Sequence, residues 1–235
     1  MGYDITVDLI RRGWKVGIAG RRTNTLKEIQ NQFGADKVQY ETIDITADNC
    51  VDLVRHLVEK TGGMDSFMHF SGIGYQNPEL DPEVELKIVQ TNAVGYLRMI
   101  DFAYNWFKQS GEFDLKHKGQ IVVVSSVTAT RGMGISTSYS STKKFQTTYV
   151  EALSQLARMH KDPVQFTEIR PGFVATPMLK KKYPMVMSRE KALKLIMRAI
   201  LKRRRLLIFD WKFKVIVFIW RLIPSCIWER MTFVK

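Results

Sequence analysis

The segment "GQIVVVSS", residues 119–126, is a run of apolar, largely β-branched residues between a glycine and two serines. It is too short to make a stable helix on its own. This pattern is typical of a strand that is buried on both faces of a parallel sheet. Further short apolar segments precede and follow it in the chain, at 14–20, 38–45, 64–72, 163–172 and 205–209.

Amphipathic helical patterns separate these segments, at 4–13, 23–34, 46–62, 85–109 and 138–160. Strands that alternate with helices indicate βαβ units. With right-handed crossovers, the predicted fold class is α/β, a doubly wound parallel sheet of the Rossmann-like kind. Ligands bind such sheets beyond the carboxyl ends of the strands, so functional residues are expected at or just after strand ends.

Tyr139 and Lys143 lie four residues apart in the last of these helices, so they share one face of it. Such a pair occurs by chance in many helices, and by itself it would favour two solvated side chains over a catalytic pair. Here Ser126 ends a strand thirteen residues before Tyr139, and Asn92 lies inside the preceding long helix. A nearby ammonium favours the phenolate and lowers a tyrosine pKa that is ordinarily about 10. We therefore predict that Tyr139 exchanges a proton with a substrate whose oxygen is hydrogen-bonded by Ser126.

This ordered set, completed by "RPGFVAT" at 170–176, resembles the short-chain dehydrogenase/reductase family. The resemblance extends over residues 2–176, roughly three-quarters of the chain. It implies an oxidoreductase that interconverts a carbonyl and an alcohol with a nicotinamide cofactor. It also implies that Lys143 holds the nicotinamide ribose and that Asn92 organises a water that relays the proton.

A basic pair after the first strand indicates which cofactor is used. Arg21 and Arg22 follow the strand end at which an NAD-binding site usually carries a carboxylate, and guanidiniums suit a ribose 2′-phosphate. We therefore predict NADP(H), although Arg22 also fits a solvated surface residue. No metal ion is predicted. The further cofactor-binding residues that the resemblance implies are Gly2, Asp44, Ile45, Ser71, Gly72, Tyr139, Lys143, Pro171, Gly172, Val174 and Thr176.

Two features depart from the family's pattern. "HFSG" at 69–72 stands in place of Asn-Asn-Ala-Gly, and His69 is expected to be a packed strand residue rather than a catalytic base. The family also begins with a strand and a glycine-rich loop, whereas Gly2 aligns with the third glycine of that loop. We expect about a dozen further residues before Met1 in the full-length protein, forming this central strand. The chain without them is expected to be less stable and to bind cofactor poorly; a genuine lack of the strand is the alternative.

The net charge of +13 is confined to the end of the chain. Residues 180–235 hold 16 Lys or Arg and 3 Asp or Glu. They include "KFKVIVFIWRLIP" at 212–224, a predicted apolar helix that is too short to span a bilayer. We divide the chain into an NADP-binding catalytic domain, 1–210, and a basic aromatic extension, 211–235. A membrane-interface anchor explains the extension about as well as a substrate-pocket lid or a dimer contact does.

The predicted partners are a small carbonyl or alcohol substrate and further copies of the chain. The copies would form a homodimer or homotetramer through the helices that carry Asn92 and Tyr139. Nucleic acid is not predicted as a partner, because the tail contains no recognisable binding motif. Two cysteines and an N-terminus without an apolar leader favour a cytoplasmic protein, with membrane association through the tail as an option. The alternative to an enzyme is a nucleotide-binding or membrane-associated scaffold, which the intact Ser126, Tyr139 and Lys143 disfavour.

Overall fold

A computed structural model describes residues 1–175 and 185–232, in which strands and helices alternate in the predicted order. The strands are β1 (Val16–Gly20), β2 (Val38–Thr42), β3 (Ser66–His69), β4 (Gly119–Val124), β5 (Val164–Arg170) and β6 (Leu206–Ile208). The helices are α1 (Gly2–Arg11), α2 (Thr23–Phe33), α3 (Cys50–Thr61), α4 (Pro82–Val89), α5 (Tyr96–Gln109), α6 (Thr137–His160), α7 (Arg189–Leu201), α8 (Trp211–Leu222) and α9 (Ser225–Trp228).

All the strand pairings between these elements are parallel, as predicted. Four strands form one sheet in the order β3-β4-β5-β6, and β1 pairs with β2 in a second sheet. Within the described residues β1 and β3 are not hydrogen-bonded to each other, so the parallel strands form two sheets rather than one.

The two faces of β4 explain why its sequence is uniformly apolar. Val122 packs on one face in a core cluster with Ile5 and Leu9 of α1 and with side chains of α7. Ile121 and Val123 point to the other face, into a cluster with side chains of α5 and α6. Helices therefore cover both faces of the four-stranded sheet, which is the doubly wound arrangement. Each such buried side chain contributes about 1.5–3 kcal/mol of transfer free energy.

A π-helical turn, Gln90–Gly95, joins α4 to α5, so the predicted long helix at 85–109 is continuous but locally widened. A π turn leaves a backbone carbonyl without its usual helical donor, and such turns are frequent at functional sites. Gly95 is required here, because a Cβ at this position would lie 2.8 Å from the carbonyl oxygen of Ile45. The widened turn contains Asn92.

The C-terminal helix α8 matches the apolar helix predicted at 212–224. Asp210 caps its N-terminus by accepting a hydrogen bond from the Lys212 backbone N–H at 3.2 Å. Phe213 and Val217 are buried against Val127, which follows β4. None of the described helices is both long and apolar enough to cross a membrane. The division of the chain at residue 210 stays a prediction.

Candidate active site

The candidate site lies at the carboxyl edge of the four-stranded sheet, where the segments after β3, β4 and β5 meet. Ser126 follows β4, and its Oγ accepts a hydrogen bond at 3.2 Å from the backbone N–H of Thr128. The Ser126 and Tyr139 side chains are hydrogen-bonded to each other. The fold thus brings together two residues that are thirteen positions apart in sequence, because α6 packs against the short segment that follows β4.

Tyr139 and Lys143 lie one turn apart on α6, and the Lys143 Nζ is 5.8 Å from the centroid of the Tyr139 ring. Burial raises the pKa of the Tyr139 phenol, and the hydrogen bond with Ser126 offsets part of that rise. Burial lowers the pKa of the Lys143 ammonium to about 8. The prediction that Lys143 brings the pKa of Tyr139 below its usual value is therefore wrong for this structure, because the desolvation of a buried phenol outweighs the favourable contributions.

Lys143 is held by two hydrogen-bond acceptors. Its Nζ donates to the backbone oxygen of Val124 at 3.0 Å and to Oε1 of Gln146 at 3.0 Å. The Nε2 of Gln146 donates at 2.8 Å to the backbone oxygen of Asn92, in the π turn. Gln146 is 1% exposed and bridges Lys143 directly to Asn92. Sequence reasoning missed Gln146; its position one turn after Lys143 on the same helix face was the available signal.

The Asn92 side chain fixes the loop that follows β3. Its Oδ1 accepts from the Ile73 backbone N–H at 2.9 Å, and its Nδ2 donates to the Ile73 oxygen at 2.7 Å. A Cβ at Gly72 would lie 3.4 Å from both Asn92 Oδ1 and Lys143 Nζ, and one at Gly74 would lie 2.7 Å from the Tyr139 ring. These two glycines let the loop pass against the site, and Gly74 was not singled out from sequence.

Glu85 anchors the N-terminal turn of the tyrosine helix. Its carboxylate accepts hydrogen bonds from the hydroxyls of Thr137 and Ser138, from the backbone N–H of Ser138 at 3.1 Å and from Nδ2 of Asn77 at 2.8 Å. These bonds lower the pKa of Glu85 to about 2. Two of the donor residues, Thr137 and Ser138, lie directly before Tyr139, so Glu85 helps to set the position of the phenol. It belongs to a different helix, α4, and the sequence alone does not show that contact.

A second buried network lies beneath the strand end. Glu168, on β5, accepts from Ser125 Oγ at 2.6 Å, from Thr147 Oγ1 at 2.8 Å and from Arg170 Nε at 2.8 Å. The Arg170 and Ser125 bonds help to keep the pKa of Glu168 below its usual value despite a larger opposing effect of burial. Ser125 precedes Ser126 and Arg170 precedes Pro171, so this network ties two segments of the site to one carboxylate. It also was not predicted.

His69 is buried, in agreement with its expected packing role. Its ring packs edge-to-face on Tyr96, with 5.2 Å between centroids. Burial is the first cause that lowers its pKa to about 3, so the imidazole is neutral. Its Nε2 has no hydrogen-bond partner among the described residues. Within the same residues, no group of three or more His, Cys, Asp or Glu side chains could hold a metal ion.

The residues assigned to the adenosine end of the cofactor lie near the ends of β1 and β2. Arg21 and Asp44 form an ion pair of 3.9 Å, and Thr46 donates to Asp44 from its backbone and its hydroxyl at 2.9 and 2.7 Å. The Thr46 bonds lower the pKa of Asp44, with a smaller contribution from Arg21. Arg22 is exposed and is the N-cap residue of α2. Ile45 lies against Gly95 of the π turn, which links this end to Asn92.

The remaining predicted cofactor residues border the site on other sides. Gly2 begins α1 beside Phe70, and Ser71 is exposed just beyond β3. After β5, the Pro171 oxygen accepts from the Val127 backbone N–H at 3.2 Å, and Val174 forms an isolated parallel bridge with Met187. A Cβ at Gly172 would lie 2.3 Å from the ring of Phe213 on α8. The predicted Thr176 lies outside the described residues.

Comparisons with known proteins agree with this architecture. A sequence model of the short chain dehydrogenase family matches residues 1–186. An uncharacterized oxidoreductase from Myxococcus xanthus (strain DK1622) is 26% identical over 237 residues, which cover 97% of this chain and 90% of that protein.

Two solved structures share the fold. A 3-ketoacyl-(acyl-carrier-protein) reductase from Brucella melitensis, complexed with NADH, gives a TM-score of 0.76 at 22% identity, covering 89% of this chain and 91% of that one. An alcohol dehydrogenase from the archaeon Thermococcus sibiricus, complexed with 5-hydroxy-NADP, gives 0.73 at 22% identity, covering 88% and 90%. The chain is therefore a member of the short-chain dehydrogenase family of oxidoreductases.

Proposed function

We propose that this protein interconverts a carbonyl and an alcohol by hydride transfer with NADP(H). The observation that carries the proposal is the cluster of Ser126, Tyr139 and Lys143 at the carboxyl edge of the sheet, with Asn92 tied to it through Gln146. A scaffold that binds a nucleotide without turnover has no need for a partly buried phenol beside a buried hydroxyl and a buried ammonium.

Tyr139 acts as the acid in reduction and as the base in oxidation. Its raised pKa keeps the phenol protonated at neutral pH, so the free protein is prepared to donate a proton to a carbonyl oxygen. Ser126 places a second hydroxyl beside the first, and it stabilises negative charge that develops on the same oxygen. Lys143 is the nearby cation that favours the phenolate after the proton has left.

A nicotinamide cofactor supplies or accepts the hydride when it is bound, and the surrounding residues fit such a group. Lys143 would hold the nicotinamide ribose, which could approach the backbone closely at Gly72, and Pro171, Gly172 and Val174 would border the nicotinamide. The N-terminus of α1 has no side-chain cap, which leaves backbone N–H groups at Gly2 to meet a pyrophosphate. Asp44, Ile45 and Ser71 would surround the adenosine.

The preference for NADP(H) over NAD(H) rests on Arg21 and Arg22. Both are exposed, and the N-terminus of α2 beside them also lacks a side-chain cap, so cations and free N–H groups coincide. That combination suits a 2′-phosphate. Since the two solved relatives were complexed with NADH and 5-hydroxy-NADP, the fold accommodates both kinds of cofactor, and the two arginines are what favours NADP(H) in this proposal.

The substrate is proposed to be a small lipophilic carbonyl or alcohol, because apolar side chains border the segments after β4 and β5. These include Val127, Phe173 and Phe213. The protein is proposed to form a homodimer or homotetramer through α5 and α6, which light scattering on a size-exclusion column would measure.

Two variants test the function and the cofactor separately. Tyr139→Phe should lower turnover by about 10²–10⁴-fold and leave NADPH affinity unchanged, because the proton donor is lost without loss of a charge. Turnover equal to that of the wild type would exclude Tyr139 as the acid. Arg21→Ser with Arg22→Ser should weaken NADPH binding by about tenfold or more and leave NADH binding unchanged. Arg12→Ser, which removes another exposed arginine, is the matched control.

A further inference from the structure

The two faces of α8 have opposite environments. Phe213 and Val217 point inward and are buried. The outward face is also apolar, although it is exposed: Trp211 is 68%, Phe218 63% and Leu222 66% accessible. Positions 211, 215, 218, 219 and 222 recur at helical spacing, so they form one stripe along the whole helix. We call these residues, Trp211, Val215, Phe218, Ile219 and Leu222, the outer stripe.

The helix is fixed in this orientation at both ends. Near its N-terminus, Phe213 fills the space above Gly172, where a Cβ would lie 2.3 Å from the ring. At its C-terminus, Arg131 donates from Nε to the Trp220 oxygen at 2.8 Å and from Nη2 to the oxygens of Arg221 and Ile223. These bonds satisfy carbonyls that a helix end leaves open, and the cation suits the negative end of the helix dipole. The outer stripe is therefore presented to solvent by a firmly attached helix.

Cations lie on both sides of the outer stripe. By the helical spacing, Lys212 is on one flank, and Lys214 and Arg221 are on the other. Beyond α9, Arg230 is exposed beside Glu229, so the two charges offset each other; α9 exposes Ile227, and Met231 after it is also exposed. When long cationic side chains flank an apolar stripe on both sides, the stripe can enter the hydrocarbon of a bilayer. The charges at the ends of these side chains then reach the lipid phosphates. A second copy of this chain would bring the same cations against each other.

We propose that the outer stripe of α8, with Ile227 of α9 and Met231 after it, lies in the interface of an anionic phospholipid bilayer. The twelve residues of α8 are too few to span the bilayer, so the helix lies in the plane of the surface. Anionic lipid is the partner because the apolar stripe and the flanking positive charges together match hydrocarbon bordered by phosphates. This inference does not depend on the proposed catalytic activity.

The basic run at 202–205 lies elsewhere and is excluded from this surface. It precedes β6, whereas α8 follows β6, so the two lie at opposite edges of the sheet. Arg203 donates to the Lys118 oxygen, and Arg205 lies 3.7 Å from Glu168. The direction of β6 therefore separates this basic run from α8.

Vesicle flotation with the whole chain tests the proposal. The protein should float with vesicles of equal parts phosphatidylcholine and phosphatidylglycerol, and far less with phosphatidylcholine alone or at high salt. Phe218→Ser with Leu222→Ser should weaken binding by at least about tenfold, since two large apolar side chains no longer enter the hydrocarbon. Gln substituted for Lys212, Lys214 and Arg221 should weaken it by roughly fivefold per cation.

Leu115→Ser with Met159→Ser is the matched control, because both residues are exposed apolar side chains far along the chain from α8. This variant should float like the wild type. The proposal is overturned if the wild type does not bind anionic vesicles, or if the outer-stripe variant binds as tightly as the control. It is also overturned if the outer-stripe variant loses an oligomer on size exclusion while its vesicle binding stays unchanged, which would assign the stripe to a second copy of the chain.

Discussion

Helices α6 and α8 depart, in opposite ways, from the usual rule that polar side chains are exposed and apolar side chains are buried. α6 buries polar side chains, among them Thr142, Lys143, Gln146 and Thr147. α8 exposes apolar ones along its outer stripe. Burying polar groups costs free energy unless they are paired, and here nearly every buried group on α6 has a named partner. Exposed apolar groups instead indicate a surface whose partner lies outside the chain. Substitutions on the two helices should therefore fail in different assays.

After Tyr139→Phe, the largest effect is expected for Lys143→Met. Turnover should fall at least about a hundredfold, because the cation that favours the phenolate is lost. Steady-state kinetics would measure it, with Lys144→Met, an exposed neighbour on the same helix, as the control. Equal losses in the two variants would contradict a specific role for Lys143.

The same variant tests the buried charge through stability. Burial lowers the pKa of Lys143 in the folded state to about 8, whereas an exposed lysine has a pKa of 10.5. The buried charge therefore destabilises the fold below about pH 8, and this cost disappears as the pH rises towards 10.5. Relative to Lys143→Met, the wild type should gain up to about 3 kcal/mol in free energy of unfolding between pH 7 and 10.5. Chemical denaturation of both proteins at each pH would measure it; a constant difference would mean that Lys143 is not buried as a charge.

A smaller loss is expected for Gly74→Ala. The new Cβ would lie 2.7 Å from the Tyr139 ring, so the ring or the loop that carries residue 74 must shift. A displacement of this kind should reduce turnover by about ten- to a hundredfold while cofactor affinity is retained. Gly134→Ala is the matched control, since a Cβ there meets no atom within 4 Å. Wild-type turnover in Gly74→Ala would show that the ring position is not critical.

Gln146 should act on pH dependence more than on rate. Its Oε1 accepts a hydrogen bond from Lys143 and so stabilises the protonated form. Gln146→Leu should therefore lower the pKa of Lys143. The break on the alkaline side of the pH–rate profile, where activity changes as Lys143 loses its proton, should then move to lower pH. Gln146→Glu adds a negative charge and should move the break upwards. Shifts of the same sign in both variants would assign Gln146 a packing role only.

The smallest effect is expected on α8 in the absence of lipid. Phe218→Ser and Leu222→Ser remove exposed side chains without burying a polar group, so the free energy of unfolding should change by less than about 0.5 kcal/mol. Thermal or denaturant unfolding without vesicles would measure it. A loss of several kcal/mol would mean that the outer stripe is covered within the folded protein.

Much of the fold could be predicted because each signal is local. The apolar run at 119–126 needs no knowledge of its neighbours to be identified as a buried strand, and the family motifs place Ser126, Tyr139 and Lys143 in order. Glu85, Glu168 and Gly74 could not be found in this way. Each acts through a partner on another element, and a carboxylate or a glycine is common enough that its position in the chain carries little information by itself.

The pKa of Tyr139 is a second property that the sequence alone could not predict. Spacing on a helix predicts that an ammonium is near a phenol, but the direction of the shift depends on how much water both groups lose. That loss is decided by the elements packed around them.

The sequence by itself determined the parallel α/β architecture, the order of the catalytic candidates and the charge asymmetry of the tail. These follow from periodicity, motif spacing and composition, which are properties of the chain alone. Tertiary structure decided that Gln146 joins Lys143 to Asn92, that α8 packs on Gly172, and that the basic run at 202–205 lies at the opposite edge of the sheet from α8. The physical reason is that hydrogen bonding, desolvation and the position of a segment relative to the sheet all depend on which distant segments come into contact. Those contacts exist only in the folded chain.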